Sequence, residues 1–257
     1  MFYSYLSTMM EYWGISVTWA LIEMVGLFSA LFLWFAVYAS NKTVGNYSFG
    51  QMIFYYAFIP LVGSLTEVYI ISSLPKMIKD GRISTDLLKP YKISVCFFIR
   101  TISLKVAQQV LKLPFFLIML AGIFLYFGLI INLSNVILCL LFCPFALFFN
   151  YLVDLCLSYT AFWIDDVWAL KHLKIVLLLV FGGMAFPVDL VPTGLKSIFL
   201  FLPFKFVYYV PISIVQGISL DALFSNLVQI ICWIAIFGVM AKLLWRAGIK
   251  KYGAYGN

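Results

Sequence analysis

Residues 73–92, SLPKMIKDGRISTDLLKPYK, form the longest strongly polar insert in an otherwise almost continuously apolar chain. Its charges are Lys76, Lys79, Asp80, Arg82, Asp86, Lys89 and Lys92, five basic against two acidic. Ser73 is placed to cap a helix whose first turn carries Pro75, where the missing N–H costs nothing. Lys76, Met77, Ile78 and Lys79 continue that helix, and Gly81 suits the position just past its end. A helix of about two turns is not stable alone and needs a surface to lie on. Ser84 or Thr85 is placed to cap a second short helix through Asp86, Leu87 and Leu88, stopped before Pro90. The plain alternative is a solvated loop; against it, Met77, Ile78, Leu87 and Leu88 would be exposed with no partner. The stretch reads as a cytoplasmic connector that docks on a soluble protein, with membrane spans on either side.

The composition around it fits that reading. The chain has 257 residues, 65% hydrophobic and 11% charged, with a mean hydropathy of +1.06. A soluble domain carries about 25% charged residues and at most about 50% apolar ones. The expectation is therefore an all-α, polytopic membrane protein forming one membrane domain over residues 1–257. The opening MFYSYLSTMMEYWG has no Lys or Arg and no small-residue cleavage site, so no cleavable signal peptide is expected. Cys96, Cys139, Cys143, Cys156 and Cys232 mostly lie in apolar runs. Cys139 and Cys143 share a helix face, but His172 is the only histidine, so buried thiols are expected rather than a metal site or disulfides.

On the N-terminal side, residues 1–16 carry Tyr3, Tyr5, Tyr12 and Trp13 and suit an N-terminal interfacial helix. About 20 residues cross a bilayer core of roughly 30 Å. On that measure the first two spans are 17–38 and 52–72, joined by the turn-rich loop Asn41–Gly50 and leading into the connector, 73–92. Beyond it, Phe98, Ile99, Ile102, Val106, Val110 and Leu113 make an apolar stripe at helical spacing, with Lys105, Gln108, Gln109 and Lys112 on another face. This predicts an amphipathic helix on the inner membrane surface over Ile93–Leu113. Pro114 then precedes or kinks a third span, 113–131, and a fourth follows over 136–163. Asp165–Lys174 is a second polar connector.

The fifth run, 175–190, meets Gly182, Gly183 and Pro187 after about 12 residues, roughly 18 Å, too short to cross. Pro187, Pro192, Pro203 and Pro211 interrupt the next apolar stretch, with Phe204 among them. Broken helices at membrane depth must be buried in protein or line a wet cavity. Residues 186–217 are therefore expected to form a re-entrant pair of short helices on the outer side, before a sixth span over 223–245.

Charge orients this layout. The connector, the amphipathic helix, the second connector, the end of the sixth span and the tail hold 14 of the 17 basic residues, leaving Lys42, Lys196 and Lys205 outside. The positive-inside rule then places both termini in the cytosol. The net charge of +7 thus reports topology and not a nucleic-acid footprint. There is no G-x-x-x-x-G-K-[ST] loop, H-E-x-x-H or G-x-S-x-G, so no catalytic residue or resident cofactor is expected. Glu23, Glu67 and Asp154 lie within spans. Such groups are expensive there and either line a translocation route, pair between subunits, serve stability near an interface, or sit protonated in place.

Three pieces together resemble the permease subunits of the type-2 exporter branch of ATP-binding-cassette (ABC) transporters. They are Gly81-Arg82-Ile83-Ser84-Thr85-Asp86-Leu87-Leu88-Lys89-Pro90, the outer segment Pro187-Val188-Asp189-Leu190-Val191-Pro192 with Leu202-Pro203-Phe204, Tyr209, Pro211 and Gly217, and the tail Trp245-Arg246 with Lys250-Lys251-Tyr252 and Gly256. The six-span layout extends the likeness over nearly the whole chain. The resemblance implies a homodimer or heterodimer of permeases in the cell membrane, with two cytosolic ATPases that hold the ATP and Mg. It also implies that Pro75–Gly81 couples to the ATPase, with Leu87, Leu88 and Lys89 alongside, and that the outer helices help close an exit. Two rival readings stand beside it: an integral-membrane enzyme acting on lipid, for which Asp165, Asp166 and His172 are the nearest candidates, and a secondary transporter or channel without an ATPase.

Overall fold

A computed structural model of the chain describes residues 13–40, 42–128 and 132–252. Helix α1 spans Trp13–Ser40 and has apolar residues all round. Phe28, Phe32, Leu33 and Phe35 are exposed on it, whereas Leu27 and Trp34 turn inward. The interfacial helix expected over 1–16 lies largely outside the described residues, and from Trp13 the chain already belongs to α1.

The loop after α1 is a small antiparallel ribbon, β1 (Thr43–Val44) against β2 (Tyr47–Ser48), with Val44 opposite Tyr47. Gly45 supplies the positive φ of its turn, and a Cβ there would lie 2.7 Å from Leu190. Ser48 and Gln51 form a reciprocal capping box that starts α2, Phe49–Thr66. This helix is enclosed on nearly every side: Met52, Tyr55 and Ala57 have no exposure.

Helix α2 ends at Thr66, six residues short of the expected span end at 72. Glu67 is extended, and Ile70–Ser72 form a single 3-10 turn. The connector then carries α3 (Leu74–Lys79) and α4 (Ile83–Leu87), with Gly81 between them at φ +72. The two short helices and the role of Gly81 match the sequence reading. The caps do not: neither Ser73 nor Ser84 nor Thr85 accepts from a helix N–H. Ser73 and Thr85 donate backward instead, to the carbonyls of Ile70 (3.3 Å) and Arg82 (2.8 Å).

Helix α5 runs unbroken from Ile93 to Phe127, through Pro114. The expected amphipathic helix and third span are thus one element. Its apolar stripe faces outward, with Ile99, Ile102, Val106 and Leu113 exposed. Its polar side turns inward, where Lys105 Nζ donates to the Ser64 carbonyl on α2 at 2.8 Å. That is the arrangement lipid favours, since a cation on a lipid-exposed face is costly.

Helix α6 (Leu133–Tyr159) is the centre of the molecule, capped by the Asn132 side chain on the Ser134 N–H at 3.0 Å. A 3-10 turn (Thr160–Phe162) leads to α7 (Trp168–Phe181). A 3-10 turn at Val188–Leu190, helix α8 (Thr193–Phe201), another 3-10 turn at Pro203–Phe206 and helix α9 (Tyr209–Gln216) come next. Helix α10, Leu220–Lys251, closes the fold with Asp221 in its first turn and Lys250 and Lys251 in its last, which suits the helix dipole. The short helices expected over 186–217 are thus present as α8 and α9.

Helix α6 packs most extensively on α10, then on α9 and α2. Phe149 meets Phe237 edge-on at 5.5 Å between centroids. Between helices in lipid there is little hydrophobic drive, so close packing and hydrogen bonds hold such contacts. Cys139 and Cys143 sit one turn apart and buried, as free thiols with sulfurs 4.0 Å apart. Three helical stretches, Phe49–Thr66, Leu133–Phe162 and Leu220–Lys251, are long and apolar enough to cross a membrane, and Val25–Ser40 and Lys112–Phe127 are shorter apolar ones. Only 11% of the most apolar window of α10 is buried, so that helix offers an apolar face to its surroundings. The chain has the architecture of an all-α membrane protein.

Candidate functional site

The end of α2 leaves carbonyl and amide groups unpaired where the chain turns into the connector. Neighbouring elements supply partners for several of them. The Thr66 carbonyl accepts from Asn150 Nδ2 on α6 at 3.0 Å, and the Thr66 hydroxyl reaches the Val207 carbonyl at 3.0 Å. The Ile71 N–H donates to Asp154 Oδ2 on α6 at 3.1 Å. The Val68 carbonyl accepts from Lys174 Nζ on α7 at 2.9 Å. The same Nζ lies 2.6 Å from Asp154 Oδ1, with both side chains almost fully enclosed. One buried ion pair thereby grips the backbone break from its donor and its acceptor sides.

Glu67 occupies the same break. Its two carboxylate oxygens accept from the hydroxyls of Tyr208 and Tyr69. Gly63, one turn earlier, lets the Tyr208 ring approach, since a Cβ there would sit 3.1 Å from it. Glu67 and Asp154 therefore meet around residues 66–71. Glu23 lies on α1, with its side chain outside the described ones.

The connector has two distinct faces. Leu74, Ile78 and Ile83 are buried against Val68, Ile71, Tyr159 and Phe162, and Pro75 is buried as well. The expectation that Met77 and Ile78 lack a partner within the chain is thus corrected: the second core cluster holds Ile78, and Met77 packs against it. Lys76, Lys79, Asp80, Arg82, Leu87, Leu88 and Lys89 face outward, and Leu88 is 88% exposed. Lys89 pairs with Asp86 at 2.7 Å. The tail fastens the bend: Tyr252 Oη donates to the Gly81 carbonyl at 3.0 Å and lies 2.9 Å from Ser84 Oγ. Gly248 makes room for Phe162 beneath it, because a Cβ would come within 2.1 Å of that ring.

At the far end of the fold, Asp189 gathers Tyr209 (2.7 Å), Tyr47 (3.1 Å) and Lys196 (3.1 Å). Burial, and then the Asp189 carboxylate, raise the Tyr47 phenol above its ordinary value, so it stays a donor. Tyr55 donates to the Gly183 carbonyl at 2.6 Å, and Tyr56 to that of Ala185. Pro187, Pro203 and Pro211 are buried here, Pro192 is exposed and Phe204 is half-buried. The broken segment after α7 is held by phenols from α2 and β2.

Sequence reasoning missed Lys174, assigned to the polar second connector, and with it Asn150 and Tyr208. A cation at the very start of an apolar run, 20 residues after an intramembrane acid, was the available signal. Asp165, Asp166 and His172 do not converge on a pocket: Asp166 caps the Trp168 N–H at 2.8 Å, and His172 Nδ1 lies 2.9 Å from the Trp168 carbonyl. Among the described residues no three potential metal ligands form a group.

The family model described as ABC-2 family transporter protein matches residues 24–256. No curated protein and no solved structure matches the chain.

Proposed function

The chain belongs to the ABC-2 family of transporter proteins, and we propose that it is the membrane subunit of an ATP-driven exporter, moved by separate cytosolic ATPase subunits. Membership makes it a multi-pass permease rather than an enzyme. The observation that carries the finer reading is the two-faced connector. One face is locked into the core by Ile78 and Ile83, while Lys76, Lys79 and Leu88 project outward. A short helix held on one side and bare on the other suits a partner with a cleft for it.

The anchoring around the break supports a lever. Force applied to α3 reaches the Ile71 N–H and the Val68 carbonyl, and through Asp154 and Lys174 it reaches α6 and α7 together. Asp154 and Glu67 act in this reading as anchors of the break rather than as a lining of the path. The Asp189 cluster then serves as the outer closure, released when α7 moves. Six spans, two cytosolic termini and pairing with a second permease, identical or related, complete the assembly. ATP and Mg belong to the ATPases.

The test is co-purification. A Lys76→Glu, Lys79→Glu, Leu88→Asp variant alters only exposed positions. It should lose its ATPase partner while keeping the thermal unfolding midpoint of the unaltered chain. Retention of the partner, and of the ATP hydrolysis it supports, would remove the connector from its assigned role.

A further inference from the structure

A groove of about 790 Å³ opens where the connector's end, the first turns of α5, the end of α6 and the last turns of α10 meet. Lys92, Lys242 and Arg246 line it, and none of them has an acidic partner among the described residues. Lys242 and Arg246 are one turn apart on α10, so they share a face. Tyr91 and Trp245 stand beside the three cations. Deeper in, the lining is apolar: Phe98, Leu152 and Leu155, with Gly238 and Ala241 leaving the space open. From Arg246 to Gly238 the groove follows α10 for about 12 Å.

We propose that this groove holds the headgroup and upper acyl chains of an anionic phospholipid of the cytoplasmic leaflet. Each part of that ligand has its complement. Three unpaired cations at the mouth match a phosphate diester with net negative charge, which a zwitterionic headgroup lacks. Tyr and Trp rings belong at headgroup depth. The apolar floor runs along the spans, where acyl chains lie, and an acidic protein segment would leave that floor unused. The volume falls within the range of about 300–1,000 Å³ typical of ligand sites. A lipid seated there touches Leu87 and Tyr91 at the end of the connector as well as α10. It would fill the space between the docking element and the sixth span.

The experiment uses the full chain with its ATPase in nanodiscs of phosphatidylcholine and phosphatidylglycerol. A phosphatidylglycerol with a photoreactive acyl chain is the probe, and labelled peptides are read by mass spectrometry. Two triple variants carry the same charge change: Lys92→Gln, Lys242→Gln, Arg246→Gln in the groove, and Lys171→Gln, Lys250→Gln, Lys251→Gln outside it. Labelling of the peptides around Phe98 and Ala241 should fall at least about tenfold in the groove variant and stay unchanged in the control. The Lys92→Arg, Lys242→Arg variant should keep it, and a photoreactive phosphatidylcholine should label these peptides weakly.

Three results would each overturn the proposal. One is labelling that persists in the groove variant. Another is an equal loss in both triples, meaning general surface attraction only. The third is loss of the ATPase from the groove variant with lipid labelling intact, which would assign the groove to the protein partner.

Discussion

Lys174 Nζ lies 2.6 Å from Asp154 Oδ1 inside the molecule, and each partner also holds one backbone group of the break after α2. Removing one member strands a buried charge, which costs about 3–5 kcal/mol. Asp154→Leu and Lys174→Met should each lower stability by that order, read as thermal unfolding in detergent. The Asp154→Leu, Lys174→Met double variant strands no charge and should lose less than either single change. It should still lose about 1–3 kcal/mol, because the Ile71 N–H and the Val68 carbonyl go unpaired. Losses that simply add would mean the two groups are not coupled.

On the proposed reading, Ile78 and Leu88 separate folding from docking within one connector. Ile78 is 4% exposed and Leu88 is 88% exposed. Ile78→Asp buries an unpaired carboxylate and should abolish folding or most of it. Leu88→Asp should leave stability within about 0.5 kcal/mol and weaken ATPase association. A pull-down at matched expression, with unfolding midpoints for both, distinguishes the two effects.

Tyr252 ties the tail to the connector through the Gly81 carbonyl at 3.0 Å and the Ser84 hydroxyl at 2.9 Å. Tyr252→Phe keeps the ring against Phe162 and removes only these bonds. The expected loss is about 1 kcal/mol. Amide hydrogen exchange should rise over residues 80–86 and stay unchanged in α6. Exchange rising evenly through the fold would point to a global role for the tail instead.

Gly183 and Gly217 both have positive φ, at +86 and +98, but only one is crowded. A Cβ on Gly183 would sit 2.6 Å from the Tyr55 hydroxyl and 2.7 Å from Tyr209 Cβ. On Gly217 the nearest atom, Asn135 Nδ2, is 3.5 Å away. Gly217→Ala should therefore cost about 1–2 kcal/mol, the left-handed penalty alone. Gly183→Ala should cost clearly more, because the clash adds to it, and should also free Tyr55 from the segment after α7. Equal unfolding midpoints for the two variants would contradict the packing described.

Much of this fold is visible in the sequence, because apolar length and breaker residues act locally. Gly81 and the turn at Asn41–Gly50 are legible since each satisfies a backbone demand within a few residues. Lys174 is not legible, because its partners at Asp154 and Val68 belong to other elements. The caps at Ser73 and Thr85 fail for a related reason: a hydroxyl in a two-turn helix has a carbonyl one turn back as close as any amide ahead. Pro114 marks a missing N–H but not whether the helix bends or stops, and neighbours settled that in favour of one helix. The polar face of α5 read as water-facing, yet Lys105 finds the Ser64 carbonyl inside. Periodicity shows that two faces differ and not which one meets lipid.

On the reading proposed here the chain has no power source of its own and is driven through its connector. That is measured as flux of a candidate cargo into reconstituted vesicles, with the chain alone, with its ATPase and ATP, and with the ATPase plus the Lys76→Glu, Lys79→Glu, Leu88→Asp variant. Transport is expected in the second arm only. Steady nucleotide-independent transport by the lone chain, or full transport by the connector variant, would refute it.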